Sequence, residues 1–164
     1  MAITVRAVEY PADTDAIRQW EERTWRIAEV ARLDELIDTV GLPGFWALDA
    51  NGTRVGLVLL RPDEVRGLEV ISLLARPEGS GVGRALMNAA LDAARHAGER
   101  RLWLATTNDN TRALRFYQRW GMDLVAIHRH AVTRARDELK PSIPLLGQDN
   151  IPLRHEIELE RLLD

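Results

Sequence analysis

The segment Gly79-Ser80-Gly81-Val82-Gly83 has the residue types and spacing that suit phosphate binding. It follows an apolar segment, Leu68 to Ala75, and precedes a long stretch whose apolar residues have helical spacing. Glycines let backbone N–H groups approach an anion closely, and the N-terminus of a helix adds a partial positive charge. Glycine clusters also form plain tight turns, so this segment by itself predicts either a phosphate site or a turn.

Two common phosphate loops are excluded by spacing. A P-loop requires Gly-x-x-x-x-Gly-Lys followed by Ser or Thr, whereas Gly83 is followed by Arg84 and Ala85. A dinucleotide-binding loop requires Gly-x-Gly-x-x-Gly near the first strand, whereas this glycine segment follows the fourth predicted strand. If the segment binds phosphate, it therefore belongs to another class of loop.

A second motif, NTRALRFYQRWGM at residues 110–122, begins about 30 residues after the glycine segment. Asn110 is well suited to cap a helix, because its side chain can accept a hydrogen bond from a free backbone N–H group. Ala113, Tyr117 and Trp120 recur at helical spacing, so one face of this helix can pack against a sheet. Tyr117 therefore has two interpretations, as a core aromatic or as a functional residue.

Together the two motifs resemble the GNAT acyltransferase superfamily. Gly81-Val82-Gly83 is similar to the end of its coenzyme A loop, Gln/Arg-x-x-Gly-x-Gly/Ala. Residues 110–122 are similar to its Asn-x-x-Ala-x-x-x-Tyr-x-x-x-Gly-Phe motif. Two positions depart from the pattern: Glu78 stands where the family has Gln or Arg, and Met122 replaces the last aromatic residue.

The resemblance implies an α/β fold in a single domain over residues 1–164, with acetyl-CoA as co-substrate and no metal. The implied sheet is mixed, mostly antiparallel and twisted, with about seven strands flanked by about four helices. Arg76 and Arg84 are candidates for the positive charge that Glu78 does not supply. The implied coenzyme-binding residues are Leu73, Leu74, Ala75, Gly79, Ser80, Gly81, Val82, Gly83, Arg84 and Asn110.

The reaction implied by the resemblance is direct attack of an amine on the thioester, without an acyl-enzyme, and the absence of cysteine agrees with it. An amine of lysine type has a pKa of about 10.4, so its deprotonation at neutral pH costs about 4–5 kcal/mol and calls for a base. Glu69 is the candidate base, and its alternative is a solvent-facing acid at a strand end. Tyr117 is the candidate acid that protonates the departing thiolate.

These residues need a sheet to position them, and the pattern of the chain predicts one. Asn51-Gly52 predicts a two-residue hairpin in which both turn positions have positive φ. Strands are predicted at residues 3–8, 45–48, 54–60, 68–75, 101–106, 122–128 and 153–159. Helices are predicted at residues 13–25, 32–40, 82–97 and 110–120.

The segment 131–150 separates the last two predicted strands and is longer than an ordinary connection between strands. Ala131, Ala135 and Leu139 recur every four residues and predict a short helix, which ends before Pro141. An extended apolar strip follows at residues 142–146. We expect the segment to shape the acceptor side of the cleft, and the alternative is a packing flap or a dimer contact.

Composition excludes several classes of protein. The net charge of −3 disfavours nucleic acid as the main partner, and the four histidines contain no HExxH pair that would indicate zinc. No apolar run reaches the roughly 20 residues needed to span a bilayer, and the N-terminus lacks a secretory signal pattern. We therefore expect a cytoplasmic protein that acts on a small-molecule or peptide amine, with no membrane partner. The sequence leaves the oligomeric state open, a homodimer included.

Two other functions remain compatible with the sequence. The first is a non-catalytic sensor that binds acyl-CoA without turnover. The second is a nucleic-acid-directed member of the superfamily that acetylates aminoacyl-tRNA, which the acidic balance disfavours. The identity of the acceptor amine does not follow from the sequence.

Overall fold

The computed structural model describes residues 2–25 and 28–164. Within these ranges the chain forms nine strands, four α-helices and a short 3-10 helix at Gln148–Asn150. The strands are β1 (Thr4–Ala7), β2 (Glu29–Arg32), β3 (Glu35–Asp38), β4 (Gly44–Leu48), β5 (Arg54–Asp63), β6 (Gly67–Ala75), β7 (Arg101–Thr107), β8 (Asp123–His128) and β9 (Glu156–Leu162). The helices are α1 (Thr14–Trp25), α2 (Val82–His96), α3 (Thr111–Trp120) and α4 (Ala131–Glu138).

The main sheet has seven strands in the order β1-β4-β5-β6-β7-β9-β8. The pairs β1–β4, β4–β5, β5–β6 and β8–β9 are all antiparallel. Strands β2 and β3 pair with each other in a separate sheet. The predicted α/β class, with a mostly antiparallel seven-stranded sheet and four helices, is confirmed.

The chain groups into two compact units. The first unit contains the described residues of Met1–Ala28, Thr39–Leu102 and Leu162–Asp164. The second unit contains Glu29–Asp38 and Trp103–Arg161. The single domain expected over residues 1–164 stays a prediction.

The core of the first unit is built from α1 and the strands of the hairpin formed by β4 and β5. Ile17 of α1 is fully buried against Trp46, Leu57 and Leu59, and Trp20 packs against the same cluster. Leu57 and Leu59 are two residues apart on β5, so they lie on the same face of the strand. Burial of each such side chain contributes about 1.5–3 kcal/mol to folding.

The predicted helix at residues 32–40 is wrong, because β2 and β3 form a hairpin there. The chain reverses at Leu33 and Asp34, whose φ angles are +45° and +66°, so Arg32 pairs with Glu35. The Glu156 carboxylate accepts the Leu33 N–H group at 2.7 Å, and Arg134 pairs with Asp34 at 2.9 Å. Distant partners therefore stabilise a turn that the local pattern does not indicate.

The hairpin predicted at Asn51-Gly52 exists, but its turn is longer than two residues. β4 ends at Leu48 and β5 begins at Arg54, and only Gly52 of the two turn residues has a positive φ, +77°. The Asp49 carboxylate accepts the N–H groups of Asn51 and Thr53, both at 2.9 Å. This side chain therefore replaces the tight turn with an Asx-type loop.

The last strand lies three residues later than predicted, at Glu156–Leu162 instead of 153–159. Residues 153–155 are engaged elsewhere: the Leu153 N–H group donates to Leu145, and those of Arg154 and His155 donate to the Asn108 side chain. The predicted helix after residue 131 is confirmed as α4, with Ala131 and Ala135 buried. The expected extended strip contributes one isolated bridge, Leu146 to Pro152.

Candidate functional site

The glycine segment lies between β6 and α2, as the sequence predicts. Gly79 and Gly81 have φ angles of +73° and +86°, and no atom lies within 4 Å of a Cβ built on either residue. Gly81 is the N-cap of α2 and offers no side chain to the first N–H groups of the helix. In any α-helix the first N–H groups have no hydrogen-bond acceptor within the helix. The loop therefore presents open backbone donors at the positive end of the helix dipole.

Close packing of α2 on β5 fixes the position of this loop. A Cβ built on Gly56 of β5 would lie 2.5 Å from Val82 Cγ1 and 2.8 Å from Leu86 Cδ1. Val82 and Leu86 are fully buried in the first two turns of α2. The start of α2 is therefore held against the sheet, and Gly83 lies in its first turn.

Charged side chains around the loop are all on the surface. Arg76, Glu78 and Arg84 are exposed, so Glu78 does not occupy a buried position beside the open N–H groups. The Ser80 hydroxyl donates to the Pro77 carbonyl at 2.6 Å and closes the turn. In this structure Ser80 therefore supports the loop with its hydroxyl proton, instead of offering that proton to a ligand.

Strand β6 carries the predicted thioester-binding residues at its C-terminal end. Leu73 and Leu74 pair with Val58 and Leu57 of β5, and Ala75 pairs with Gly56. The register shifts between Leu59 and Leu60, which pair with Ser72 and Val70, so one residue of β6 is left over between them. Such a bulge bends a strand and redirects the side chains around it.

Glu69 lies on β6 and is fully buried, so the alternative of a solvent-facing acid is wrong. Its carboxylate forms an ion pair with Arg61 of β5, with 3.3 Å between Oε2 and Nη2. Ser72 lies three residues after Glu69 on β6. Its hydroxyl donates a hydrogen bond to the buried Glu21 carboxylate of α1 at 2.7 Å. The first unit therefore holds two buried carboxylates beside the strand that the resemblance implicates in catalysis.

Tyr117 lies on α3 in the second unit, in the middle of the predicted motif. The Asn110 side chain accepts the Ala113 N–H group at 3.2 Å, which confirms its predicted role as helix cap. The Tyr117 ring is buried and packs edge-on against Phe116, and burial raises the pKa of its hydroxyl above the usual range. The structure therefore shows Tyr117 as a buried aromatic residue of α3.

The structure places the predicted residues in two groups. Glu69, Leu73, Leu74, Ala75 and the loop from Gly79 to Arg84 belong to the first unit, on β6 and at the start of α2. Asn110 and Tyr117 belong to the second unit.

Sequence reasoning missed Arg61, Ser72 and Glu21. Arg61 falls outside the predicted strand, which ends at residue 60, whereas β5 continues to Asp63. The register of the hairpin could have identified Arg61. A hairpin centred on Val65 pairs Asp63 with Gly67, and the same register pairs Arg61 with Glu69. The contact between Ser72 and Glu21 joins residues 51 positions apart, and no local pattern indicates it.

Across residues 2–25 and 28–164, no group of three or more His, Asp or Glu side chains is arranged to hold a metal ion. In the same residues, no helix combines the length and apolar character needed to cross a membrane.

Sequence comparisons connect the chain with acetyltransferases. The family model described as Acetyltransferase (GNAT) family matches residues 14–122. The Bacillus subtilis protein YdhI is 35% identical over 140 residues, which cover 85% of this chain and 86% of that protein. Streptothricin acetyltransferase of Streptomyces lavendulae is 43% identical over 80 residues, 47% of this chain and 42% of that enzyme.

A structural comparison agrees with the sequence match. The crystal structure of a putative streptothricin acetyltransferase from Bacillus anthracis, in complex with acetyl-coenzyme A, superposes with a TM-score of 0.69. The match covers 100% of this chain and 99% of that one, at 13% sequence identity. At this identity the likeness shows a shared fold.

Proposed function

This chain belongs to the GNAT acetyltransferase family, and we propose that it transfers the acetyl group of acetyl-CoA directly to a primary amine. The amine belongs to a small molecule or a peptide. The observation that carries the proposal is the open loop at the start of α2, in the same unit as the buried carboxylate of Glu69 on the preceding strand. The loop provides N–H donors for a phosphate-containing acyl donor, and Glu69 provides a base for the acceptor.

The loop fits the pyrophosphate of coenzyme A in shape and charge. Gly79 and Gly81 leave the backbone uncovered, and glycine adopts their positive φ angles at far lower cost than residues with a Cβ atom. Charge-assisted hydrogen bonds from backbone N–H groups to phosphate are about twice as strong as neutral ones. Arg76 and Arg84 add positive charge at the two ends of the loop.

Glu69 acts as the base in this proposal. Its ion pair with Arg61 favours the ionised carboxylate, which is the form that accepts a proton. Because the side chain is fully buried, we infer that the proton of the attacking amine reaches it through a water molecule. The amine nitrogen then forms the new bond to the carbonyl carbon, and the carbon–sulfur bond breaks.

Tyr117 donates a hydrogen bond to the departing sulfur. Burial raises the pKa of its hydroxyl, so the hydroxyl keeps its proton at every pH at which an acetyltransferase is assayed. A thiol is a much stronger acid than this phenol, so complete proton transfer to the thiolate is unfavourable. The role of Tyr117 is therefore stabilisation of charge on sulfur. The substrate ammonium loses two protons in all: one passes through water to Glu69, and the other reaches the thiolate through solvent and becomes the thiol proton of coenzyme A.

One relative supports the choice of acceptors to test first. The Streptomyces lavendulae enzyme is named for streptothricin acetylation, and its sequence match covers about half of this chain. We therefore place amine-bearing small molecules first in the acceptor panel, with peptides and protein lysines second.

The proposal is tested by combining a binding assay with a turnover assay. Acetyl-CoA at a hundredfold excess over its Kd stabilises the native state by about 2.7 kcal/mol, which raises Tm by about 5–10 °C for a chain of this size. Thiol release with streptothricin, spermidine and a lysine peptide then measures turnover. A flat thermal titration contradicts the proposal, and binding without turnover on any amine indicates an acyl-CoA sensor instead.

A further inference from the structure

A cleft of about 500 Å³ lies in the first unit, and its lining includes no residue of the glycine loop or of β6. Its volume falls in the range of small-molecule sites. One wall comes from the β4–β5 turn and the other from β1 and α1. Its lining residues are Arg6, Trp20, Leu48, Gly52, Thr53 and Arg54.

A buried carboxylate organises the two arginines of the cleft. Asp13 accepts two hydrogen bonds from Arg6, at 2.8 and 2.9 Å, and one from Arg54 at 2.9 Å. These contacts lower the pKa of Asp13 well below its usual range, so the carboxylate is ionised at neutral pH. Two guanidinium groups share one carboxylate, and the cleft keeps a net positive charge.

The guanidinium of Arg54 is fixed and still has hydrogen atoms to donate. It stacks over the Trp46 ring at 4.8 Å, and its Nη2 atom donates to Asp13. Within the described chain, Nε and Nη1 make no hydrogen bond. A guanidinium held in this way still has N–H groups that can donate charge-assisted hydrogen bonds to an anion.

The opposite part of the cleft is aromatic and apolar. Trp20 is half-buried, and its ring meets Trp46 edge-on at 5.5 Å. The guanidinium of Arg76, which follows β6 at the start of the loop, lies over Trp20 at 5.7 Å and adds a third cation to this region. Leu48 completes an apolar wall. The cleft therefore combines a flat apolar surface with a fixed positive end.

We propose that this cleft is a second ligand site, for a small aromatic carboxylate. The carboxylate would pair with Arg54 and Arg6, and the aromatic ring would lie against Trp20 and Leu48. The guanidinium groups of Arg6, Arg54 and Arg76 outnumber the Asp13 carboxylate, which favours an anionic ligand over a neutral one. The site does not depend on the proposed transfer reaction, and none of its lining residues belongs to the glycine loop or to β6.

The test uses the whole protein without coenzyme A and benzoate as the probe. Benzoate, its neutral analogue benzamide, and inorganic phosphate are titrated to tens of millimolar, a range that suits ligands of few atoms. Binding is followed by NMR of the indole N–H signals, with the Trp20 signal assigned from Trp20→Phe. We expect benzoate to shift the Trp20 signal, and benzamide and phosphate to bind at least about tenfold more weakly.

Two variants and a control locate the site. Arg54→Gln removes one guanidinium while Arg6 still holds Asp13 by two hydrogen bonds, and Thr53→Glu adds a carboxylate to the rim. Each should weaken benzoate binding by at least about tenfold. Arg18→Gln removes the same charge from the exposed face of α1 and should leave binding unchanged. No benzoate binding, equal binding of benzamide, or normal binding by folded Arg54→Gln and Thr53→Glu overturns the proposal.

Discussion

Tyr117 shows how burial decides what a side chain can contribute to a reaction. A phenol with a raised pKa gives up its proton less readily than an exposed one, yet it donates a hydrogen bond equally well. In the proposed reaction the leaving group is a thiolate, which needs little protonation because a thiol is already a moderate acid. The residue is therefore expected to matter for rate, by a modest factor, and not for binding of coenzyme A.

Tyr117→Phe should lower kcat by roughly fivefold and leave the Kd for acetyl-CoA unchanged, since one hydrogen bond is worth about 1 kcal/mol. The second tyrosine provides a matched control. The Tyr10 hydroxyl donates to the Leu42 carbonyl at the surface, so Tyr10→Phe removes the same group elsewhere and should keep full turnover. Full activity of Tyr117→Phe with the best acceptor would return this side chain to a packing role.

Glu69→Gln should abolish proton acceptance while keeping the size of the side chain. In the wild type, kcat/KM should rise with pH on the acidic limb as the base becomes ionised, and the variant should lose that rise. The exposed Glu64, in the turn between β5 and β6, gives Glu64→Gln as a control with a normal profile. An unaltered pH profile in folded Glu69→Gln removes the residue from the mechanism.

At the scale of elements, α2 offers a matched pair of glycines. Gly81 at its N-terminal end and Gly98 just beyond its C-terminal end have φ angles of +86° and +71°, and both lack neighbours around a built Cβ. Valine at either position is strained to a similar degree. Gly81→Val should lose acetyl-CoA binding by calorimetry, whereas Gly98→Val should only lower Tm. Normal binding by folded Gly81→Val would show that the loop is simply a turn.

The segment 131–150 is anchored within the second unit. Arg136 of α4 donates to the carbonyl groups of Ile143, Pro144 and Leu153 at 2.7–2.9 Å. The Asp109 carboxylate accepts the Gln148 N–H group at 2.8 Å. Removal of the whole segment would therefore break packing and hydrogen bonds as well as function, so point substitutions on its surface are the better probe.

Leu145 and Leu146 are exposed by 71% and 52%, and their side chains are the best candidates for contact with an acceptor. The double change Leu145→Ser and Leu146→Ser keeps the backbone contacts of the segment. We expect a higher acceptor KM with an unchanged Kd for acetyl-CoA, and Val65→Ser, at a 94% exposed turn position, should change neither. If acceptor kinetics hold and the mass in solution falls by half, the segment is a dimer contact.

The limits of local patterns are clearest at β2 and β3. A pattern of apolar residues predicts a helix there, but Leu33 and Asp34 adopt a hairpin turn held by Glu156 and Arg134, 123 and 100 residues away. By contrast, α3 is predictable because its cap and its apolar face lie within the segment itself. A helix with its own cap and apolar face was therefore predicted correctly, whereas a hairpin turn that depends on contacts with distant residues was not.

For the whole molecule, two separated motifs in the right order indicate the seven-stranded sheet and the family, both of which are confirmed. The site is predictable only in part. The glycine loop and the Asn110 cap have local signatures, whereas the burial of Glu69 and its contact with Arg61 depend on the register of the β5–β6 hairpin. The register of a hairpin is set by its turn. The residues around Val65 indicate a turn less strongly than an Asn-Gly pair does, so the pairing of Arg61 with Glu69 is hard to predict.

Transfer of a labelled acetyl group measures the central claim most directly. The protein is incubated with acetyl-CoA carrying carbon-13 in its acetyl group and with streptothricin, spermidine or a lysine peptide. Products and intact protein are then analysed by mass spectrometry. The account predicts that the label appears on an amine nitrogen of at least one acceptor and never on the protein, because the amine attacks the thioester directly. A stoichiometric labelled protein that passes its acetyl group to the amine, or no labelled amine despite tight binding of acetyl-CoA, would contradict it.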